Sequence, residues 1–342
     1  MFIHRRPRWA LRESDVTPEH VFLNRRAMLA AMGVGAAAAA LPGRAEAANR
    51  VPEEAWAPKP ALNPSFADAG RAVTAERTNA EYNNFYEFGS HKGIYRAAQQ
   101  LRTDPWTIVI DGEVSKPMEI GMEDLLAKMP IEERIYRHRC VEAWSMVAPW
   151  IGFELRHLMA LVEPTSKARY VRMETLADRD TMPGLRQHWY PWPYTEGLTA
   201  AEAAHPLSFM VVGAYGKVLH KQFGAPMRLH VPWKYGFKLL KSINRISFVE
   251  ERPVGFWEEL QGAEYGFWAN VNPEFDHPRW TQAEERVLGT GDKIPTQLYN
   301  GYAEEVRHGG NFWDIMMQRY GVTLDIVGGS LDNIPRHGPV IV

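Results

Sequence analysis

The chain has 342 residues, 45% of them hydrophobic, with 12 Trp and 27 Gly, which is enough apolar surface for a sizeable core. Thirty-nine Lys and Arg against 41 Asp and Glu leave a net charge of -2, so no global basic field argues for nucleic acid. A single cysteine excludes any internal disulfide, and the fold has to be stable without one.

The first 47 residues read as an export signal. Arg25-Arg26 opens it, an apolar stretch from Ala27 to Leu41 follows, and Ala45-Glu46-Ala47 has the small-x-small form of a cleavage site, placing the mature start at Ala48. The stretch is Ala/Gly-rich and shorter than the ~20 residues of a membrane-spanning helix, so cleavage is favoured over a retained anchor. A twin arginine before a weak apolar stretch suits the route that carries folded proteins, and a periplasmic location is expected. That route makes sense for a chain that buries a bulky cofactor before it leaves the cytoplasm. Residues 48–80 are rich in Pro, Ala and charge and read as a flexible or surface-draped lead-in.

Trp106 to Ile110 is β-branched and predicts a strand that stops at the turn Asp111-Gly112. Met122 to Met129 carries helical spacing and ends before Pro130. Glu133 to Arg139 predicts a strand running into Cys140, Leu155 to Val162 a short helix, and Tyr170 to Leu176 a strand. Thr199 and Glu202 form a capping-box pattern. Phe209 to Val212 and Val218-Leu219 flank Gly213 to Lys217 as a hairpin, and Met227 to Val231 and Ile243 to Val249 are further strands. Short strands mixed with short helices predict an α+β fold.

Three stretches carry candidate chemistry. In Tyr136-Arg137-His138-Arg139-Cys140-Val141-Glu142, strand alternation puts His138 and Glu142 on the side of Cys140 and Arg139 on the other. Nearby cations favour a thiolate, which serves either as a soft ligand to a redox metal or as a nucleophile with His138 as base; a core cysteine beside a surface basic pair is the third reading. Arg228, Lys234, Lys238 and Lys241 are interleaved with Trp233, Tyr235 and Phe237, a pattern suited to a phosphate and a flat ring, or to a solvated strand edge. Asn83 to Gly89 mixes amides with aromatics, useful for reading a heterocycle or simply a turn with aromatic anchors. No H-E-x-x-H, Walker A loop or C-x-x-C is present, and Leu288-Gly289-Thr290-Gly291 lacks a third glycine.

The runs YNNFYEFG from Tyr82, RHRCVEAWSMVAPWIGF from Arg137, GAPMRLHVPWKYGFK from Gly224 and YGFWANVNPEFDHPRWTQAEER from Tyr265 resemble the catalytic subunits of periplasmic protein-methionine-sulfoxide reductases, within the sulfite-oxidase-like molybdopterin family. The resemblance runs from about Tyr82 to Val306 and implies a catalytic domain over 81–306. It implies one molybdenum held by one pyranopterin dithiolene and by Cys140, with no haem in this chain. Asn83, Tyr86, Glu87, Thr175, Arg228 and Lys241 fall at cofactor-contacting positions, and Glu142 lines the pocket as the candidate proton donor if burial raises its pKa. The implied electron donor is a haem-bearing membrane subunit, the implied substrates are oxidised periplasmic proteins or small sulfoxides, and the chain is expected to be a monomer before partner binding. Arg137 or Arg139 is expected to tune the thiolate, and Trp189, Tyr190 or Trp268 to wall the entrance. Sulfite oxidation is disfavoured because no second cation cluster stands out. Phe223 and Leu239 depart from the family's usual Asn and Gly, the loop from Asp178 to Tyr194 is shorter and more aromatic, and residues 307–342 match nothing in the family. Reduction of small S- or N-oxides, a Cys140–His138 hydrolase and a non-catalytic exported binding protein remain the alternatives.

Overall fold

A computed structural model describes residues 54–308, all within one compact unit. The expected export signal and the segment 309–342 lie outside the described residues.

The helices α1 (Glu76–Glu81), α2 (Tyr95–Ala98), α3 (Met122–Leu126), α4 (Leu155–Val162), α5 (Ala200–Ala204), α6 (Phe256–Gln261) and α7 (Ala303–His308) are all short. Twelve strands dominate: β1 (Thr107–Gly112), β2 (Met118–Gly121), β3 (Glu132–Cys140), β4 (Trp144–Glu154), β5 (Tyr170–Thr175), β6 (Thr195–Thr199), β7 (Phe209–Ala214), β8 (Lys217–Val218), β9 (Arg228–His230), β10 (Ile243–Val249), β11 (Glu284–Val287) and β12 (Lys293–Pro295). One sheet runs β2-β1-β10-β5-β6; the other runs β12-β11-β4-β7-β8, with β3 on β4 and β9 on β7. This is the predicted α+β class. β1 continues through the expected turn to Gly112, and α3 stops at Leu126, short of the predicted Met129.

The local signals act as their chemistry requires. Thr199 Oγ accepts from Glu202 N at 3.0 Å while Glu202 Oε2 accepts from Thr199 N at 3.0 Å, which caps α5. Tyr215 and Gly216, both at positive φ, make the tight turn of the β7–β8 hairpin.

β4 is the strand that the sequence hid. It is buried along almost its whole length, so no alternation marks it, and Pro149 and Gly152 argue against a central strand. β3 occupies one edge from Cys140↔Trp144 to Glu132↔Gly152. The other edge pairs with β11 at Trp144 and Ser145, and with β7 from Trp150 onward. Thr74 fills the gap between them: its N–H donates to Val147 O at 3.0 Å, and Val147 N donates to its hydroxyl at 3.1 Å. The lead-in is thus draped over the sheets and bonded to them at several points. Asn63 and Ala61 bond both backbone groups of Glu133 on the outer edge of β3, and Glu54 and Trp56 bond the β7–β8 hairpin.

Gly152 sits where the β4–β7 register slips, and a Cβ there would lie 2.0 Å from Met210 O. The backbone of a buried strand cannot give way by that much. Gly152→Ala is expected to cost about 3 kcal/mol or to block folding; a denaturant midpoint equal to wild type would show that the sheet is looser than described.

Buried histidines make the fold acid-sensitive. Burial lowers the pKa of His205 to about 4 and that of His220 to about 3, and it pushes His230 well below its ordinary value. Glu76 lies 3.0 Å from His220, but Lys217 bonds the same carboxylate and opposes the His220 charge. Below pH 6.5 the unfolded chain takes up protons that these folded histidines refuse. Stability should therefore fall from pH 6.5 toward 4, by about 1.4 kcal/mol per unit for each histidine. Urea midpoints that stay flat across that window would contradict their neutral burial.

Candidate active site

Antiparallel pairing of β3 and β4 closes at Cys140↔Trp144, which leaves Val141, Glu142 and Ala143 as a three-residue turn. Ala143 takes φ 57 and its N–H donates to Cys140 O at 3.1 Å. The turn thereby presents the Cys140 sulfur and the Glu142 carboxylate at the wall of a cavity of about 610 Å³. All eight candidate residues line it: Cys140 and Glu142 from the turn, Asn83, Tyr86 and Glu87 from the segment after α1, Thr175 from the end of β5, Arg228 from the start of β9, and Lys241 just before β10. Two glycines permit close approach. A Cβ on Gly184 would lie 2.0 Å from Tyr86 O, and one on Gly224 (φ +101) would lie 2.4 Å from Lys241 Cβ.

Cys140 is only 4% exposed. Its Sγ lies 3.5 Å from Glu142 N, 3.6 Å from Asn84 Nδ2 and 3.7 Å from Glu142 Oε2. Burial, reinforced by Glu142, pushes the thiol up to about 12 against the pull of Lys92. Neighbouring cations therefore do not by themselves make a thiolate, contrary to the sequence expectation. Arg137 and Arg139 do not line the cavity. Arg139 pairs with Glu285 at 2.8 Å, bonds Thr296 at 3.0 Å and donates to Cys140 O, which ties β3 to β11 and to the residue after β12. Arg137 bonds Ala69 O and Asn300 O, which ties the lead-in to the segment before α7.

Glu142 also departs from expectation. Burial alone would raise its pKa, but Lys92, Trp144 Nε1 at 2.9 Å and Asn84 Nδ2 at 3.1 Å converge on Oε2 and hold it below the usual carboxylate range. It is an ion-paired carboxylate, not a raised-pKa acid. His138 lines the cavity, but burial, with Arg228 and Lys241 beside it, drives its pKa well below the ordinary value. Among the described residues no hydrogen bond joins it to Cys140, so the Cys–His pair of a hydrolase is not formed.

The far part of the cavity is cationic and poorly compensated. Burial lowers Arg228 to about 9, and among the described residues its guanidinium bonds only backbone carbonyls, of Phe223 at 2.9 Å and of Leu239 and Leu229 at 3.4 Å. Burial and Arg228 lower Lys241 to about 7. Among the described residues the one carboxylate facing them is Glu87, itself pushed up by burial, with Lys241 and a hydrogen bond from the Thr175 side chain opposing the shift. Lys234 and Lys238 leave the predicted cluster: Lys234 pairs with Glu202, and Lys238 with Glu196 at 2.8 Å, both in the core. Phe223 meets His220 at 4.3 Å between ring centroids and contributes its carbonyl to Arg228, so it needs no polar side chain to take part.

Of the predicted aromatic rim, Trp189 is 60% exposed and neither it nor Trp268 lines the cavity, while Tyr190 stands behind its wall, against Tyr86 at 5.8 Å and Trp257 at 6.3 Å. The walls are Tyr82, Trp144, Tyr194, Trp257, Tyr265 and Trp280. Sequence reading missed Asn84, although it lies in a run already singled out, and Lys92, which nothing in the sequence marks.

Among the described residues no three His, Cys, Asp or Glu side chains come together as a metal cage. A metal beside Cys140 would therefore take its other ligands from a bound organic group. The donor set fits one: a soft sulfur at one place, and two buried cations short of anions at another. The match to known proteins agrees. The family model described as "Oxidoreductase molybdopterin binding domain" matches residues 95–257. Over 320 residues the chain is 49% identical to the protein-methionine-sulfoxide reductase catalytic subunit MsrP of Pseudomonas syringae pv. tomato, covering 86% of this chain and 93% of that one.

This chain belongs to the MsrP family of molybdopterin oxidoreductases. Among solved structures, the sulfane dehydrogenase SoxCD from Paracoccus pantotrophus is similar with a TM-score of 0.42 and 19% identity, over 64% of this chain and 55% of that one. That likeness is too distant to carry an argument. Membership of the MsrP family makes the chain an enzyme, and its expected α+β fold is the one seen here.

Proposed function

We propose that this enzyme reduces methionine sulfoxide in exported proteins, with Cys140 as the protein ligand of a molybdenum carried by a single pyranopterin. One observation carries the reading: Cys140 shares its cavity with Arg228 and Lys241, two buried cations that lack an adequate anion. Arg228 and Lys241 would hold the terminal phosphate of such a cofactor. Asn83, Tyr86, Glu87 and Thr175 would line its pterin; the Asn83 amide N–H groups are spent on Asn79 O and Ala80 O, so its carbonyl is the end left to read a heterocycle.

When bound, the molybdenum centre supplies the two-electron chemistry that takes the oxygen from a sulfoxide; with two protons the products are a thioether and water. The chain's own residues hold the reactants. Lys92 is ion-paired with Glu142 and holds that carboxylate beside Cys140. Tyr82, Trp144, Tyr265 and Trp280 exclude water and offer apolar contact to the thioether product. Export by the twin-arginine route to the periplasm, and reduction by a haem-bearing membrane subunit with no haem in this chain, complete the reading.

Purified protein should contain about one molybdenum per chain, give a paramagnetic signal on partial reduction, and reduce protein-bound methionine sulfoxide with a reduced dye as donor. Metal-free protein, or metal-loaded protein that turns over no sulfoxide, would sink the reading. A second reading, oxidation of sulfite or another oxyanion, gains from one finding: Lys92, Arg279 and Arg286 do meet at the cavity from distant segments, a cation cluster invisible in the sequence. Lys92 and Arg279 are each paired with a carboxylate, Glu142 and Glu264, which weakens it. Turnover of sulfite faster than of any sulfoxide would favour it.

A further inference from the structure

Three cations line the cavity on the side of Glu142, and they are not equivalent. Lys92 is neutralised by Glu142, and Arg279 by Glu264 at 2.8 Å. Among the described residues Arg286 has no carboxylate within ion-pair distance. One of its N–H groups donates to Tyr82 OH at 3.0 Å, and its guanidinium rests over the Tyr82 ring at 5.5 Å. Four of its five N–H donors are left uncommitted.

Its position is rigid. β11 runs parallel to β4 with Arg286 opposite Trp144, and Arg286 N donates to Ala143 O at 2.9 Å. Trp144 in turn bonds Glu142, so the guanidinium stands one side chain away from the turn that carries Cys140. Arg228 and Lys241 already answer the phosphate, which leaves Arg286 facing whatever enters beside the metal. A sulfoxide group is neutral and uses no such fork fully. A methionine sulfoxide residue inside a polypeptide also carries main-chain carbonyl oxygens, acceptors that an uncommitted guanidinium matches.

We propose that Arg286 is a specificity-determining residue whose guanidinium hydrogen-bonds a main-chain carbonyl flanking the methionine sulfoxide, selecting peptide-borne over small sulfoxides. The proposal rests on the reading of the site as a methionine-sulfoxide reductase. The test compares holoenzyme with Arg286→Gln and Arg286→Lys on three sulfoxides under one reduced dye: N-acetyl-methionine sulfoxide N-methylamide, free methionine sulfoxide and dimethyl sulfoxide. The ratio of kcat/KM for the blocked residue over dimethyl sulfoxide should fall about tenfold in Arg286→Gln, through KM, and less in Arg286→Lys, which keeps the charge and a donor. Molybdenum content and the paramagnetic spectrum should match wild type. A ratio within about twofold of wild type overturns the proposal. So does a loss confined to free methionine sulfoxide, which would mark a carboxylate site, and so does loss of molybdenum in both variants, which would make Arg286 a cofactor anchor. Wild-type holoenzyme that reduces none of the three sinks the underlying reading instead, a different pattern from an active enzyme indifferent to Arg286.

Discussion

Cys140→Ala is expected to abolish sulfoxide reduction and to strip the enzyme of its metal while leaving the fold intact. The side chain is small and buried at the end of β3, and its loss should change stability by only about 1 kcal/mol. The chemistry is far less tolerant. Removing an outer partner of a metal ligand costs about 10- to 100-fold, so removing the ligand itself should cost more than about 100-fold in kcat/KM. Cys140→Ser should do little better, because a hydroxyl is a poor match for a soft metal. The thiol, pushed up to about 12 by burial and Glu142, should resist alkylation at neutral pH in metal-free protein. Rapid alkylation of the metal-free form, or an active metal-loaded Cys140→Ala enzyme, would overturn the assignment. The alkylation arm also separates this reading from a thiol hydrolase, whose nucleophile has to be ionised to work.

Where local chemistry decides, the sequence was informative. The Thr199–Glu202 cap, the Tyr215-Gly216 turn and the strand into Cys140 each follow from residues within a few positions of one another. What escaped was decided by distant partners. β4 hides because burial on both faces erases alternation, and its Pro149 falls in the gap between the β11 and β7 pairings, where no ladder bond asks for its N–H. The site residues named from family likeness all line one cavity, but the condition attached to Glu142, a pKa raised by burial, is not met. Glu142 stays ionised because Lys92, some fifty positions earlier, comes to lie against it. The cluster from Arg228 to Lys241 splits because Glu202 and Glu196 claim Lys234 and Lys238 for the core. Spacing along a chain shows which residues are near in sequence; it does not show which carboxylate will reach them.

That split gives Lys241 its meaning, and Lys241→Met should move two properties in opposite directions. Among the described residues the Lys241 ammonium has no ion pair; it lies 5.6 Å from the centroid of the Phe85 ring, is repelled by Arg228, and faces a Glu87 carboxyl that burial raises to about 7. In the cofactor-free protein it is a charge held out of water for little return. Replacing it with a side chain of similar length should stabilise that form by about 1–2 kcal/mol. Glu87 then carries a proton more readily, so no new unpaired charge is left behind. The sign with pH follows from burial holding the folded pKa of Lys241 below its ordinary value. The lysine's penalty is therefore greatest at low pH and vanishes as pH rises toward that ordinary value, so the gain from the substitution should shrink with rising pH. With cofactor present the balance reverses. Losing one charge-assisted contact to a phosphate should weaken retention about 10- to 100-fold, seen as faster loss of molybdenum on dialysis. The wild-type cavity thus gives up stability when empty in order to hold an anion when full. A Lys241→Met protein that melts lower without cofactor, or that keeps its molybdenum as long as wild type, would mean that this pole of the cavity was built for something other than a phosphate.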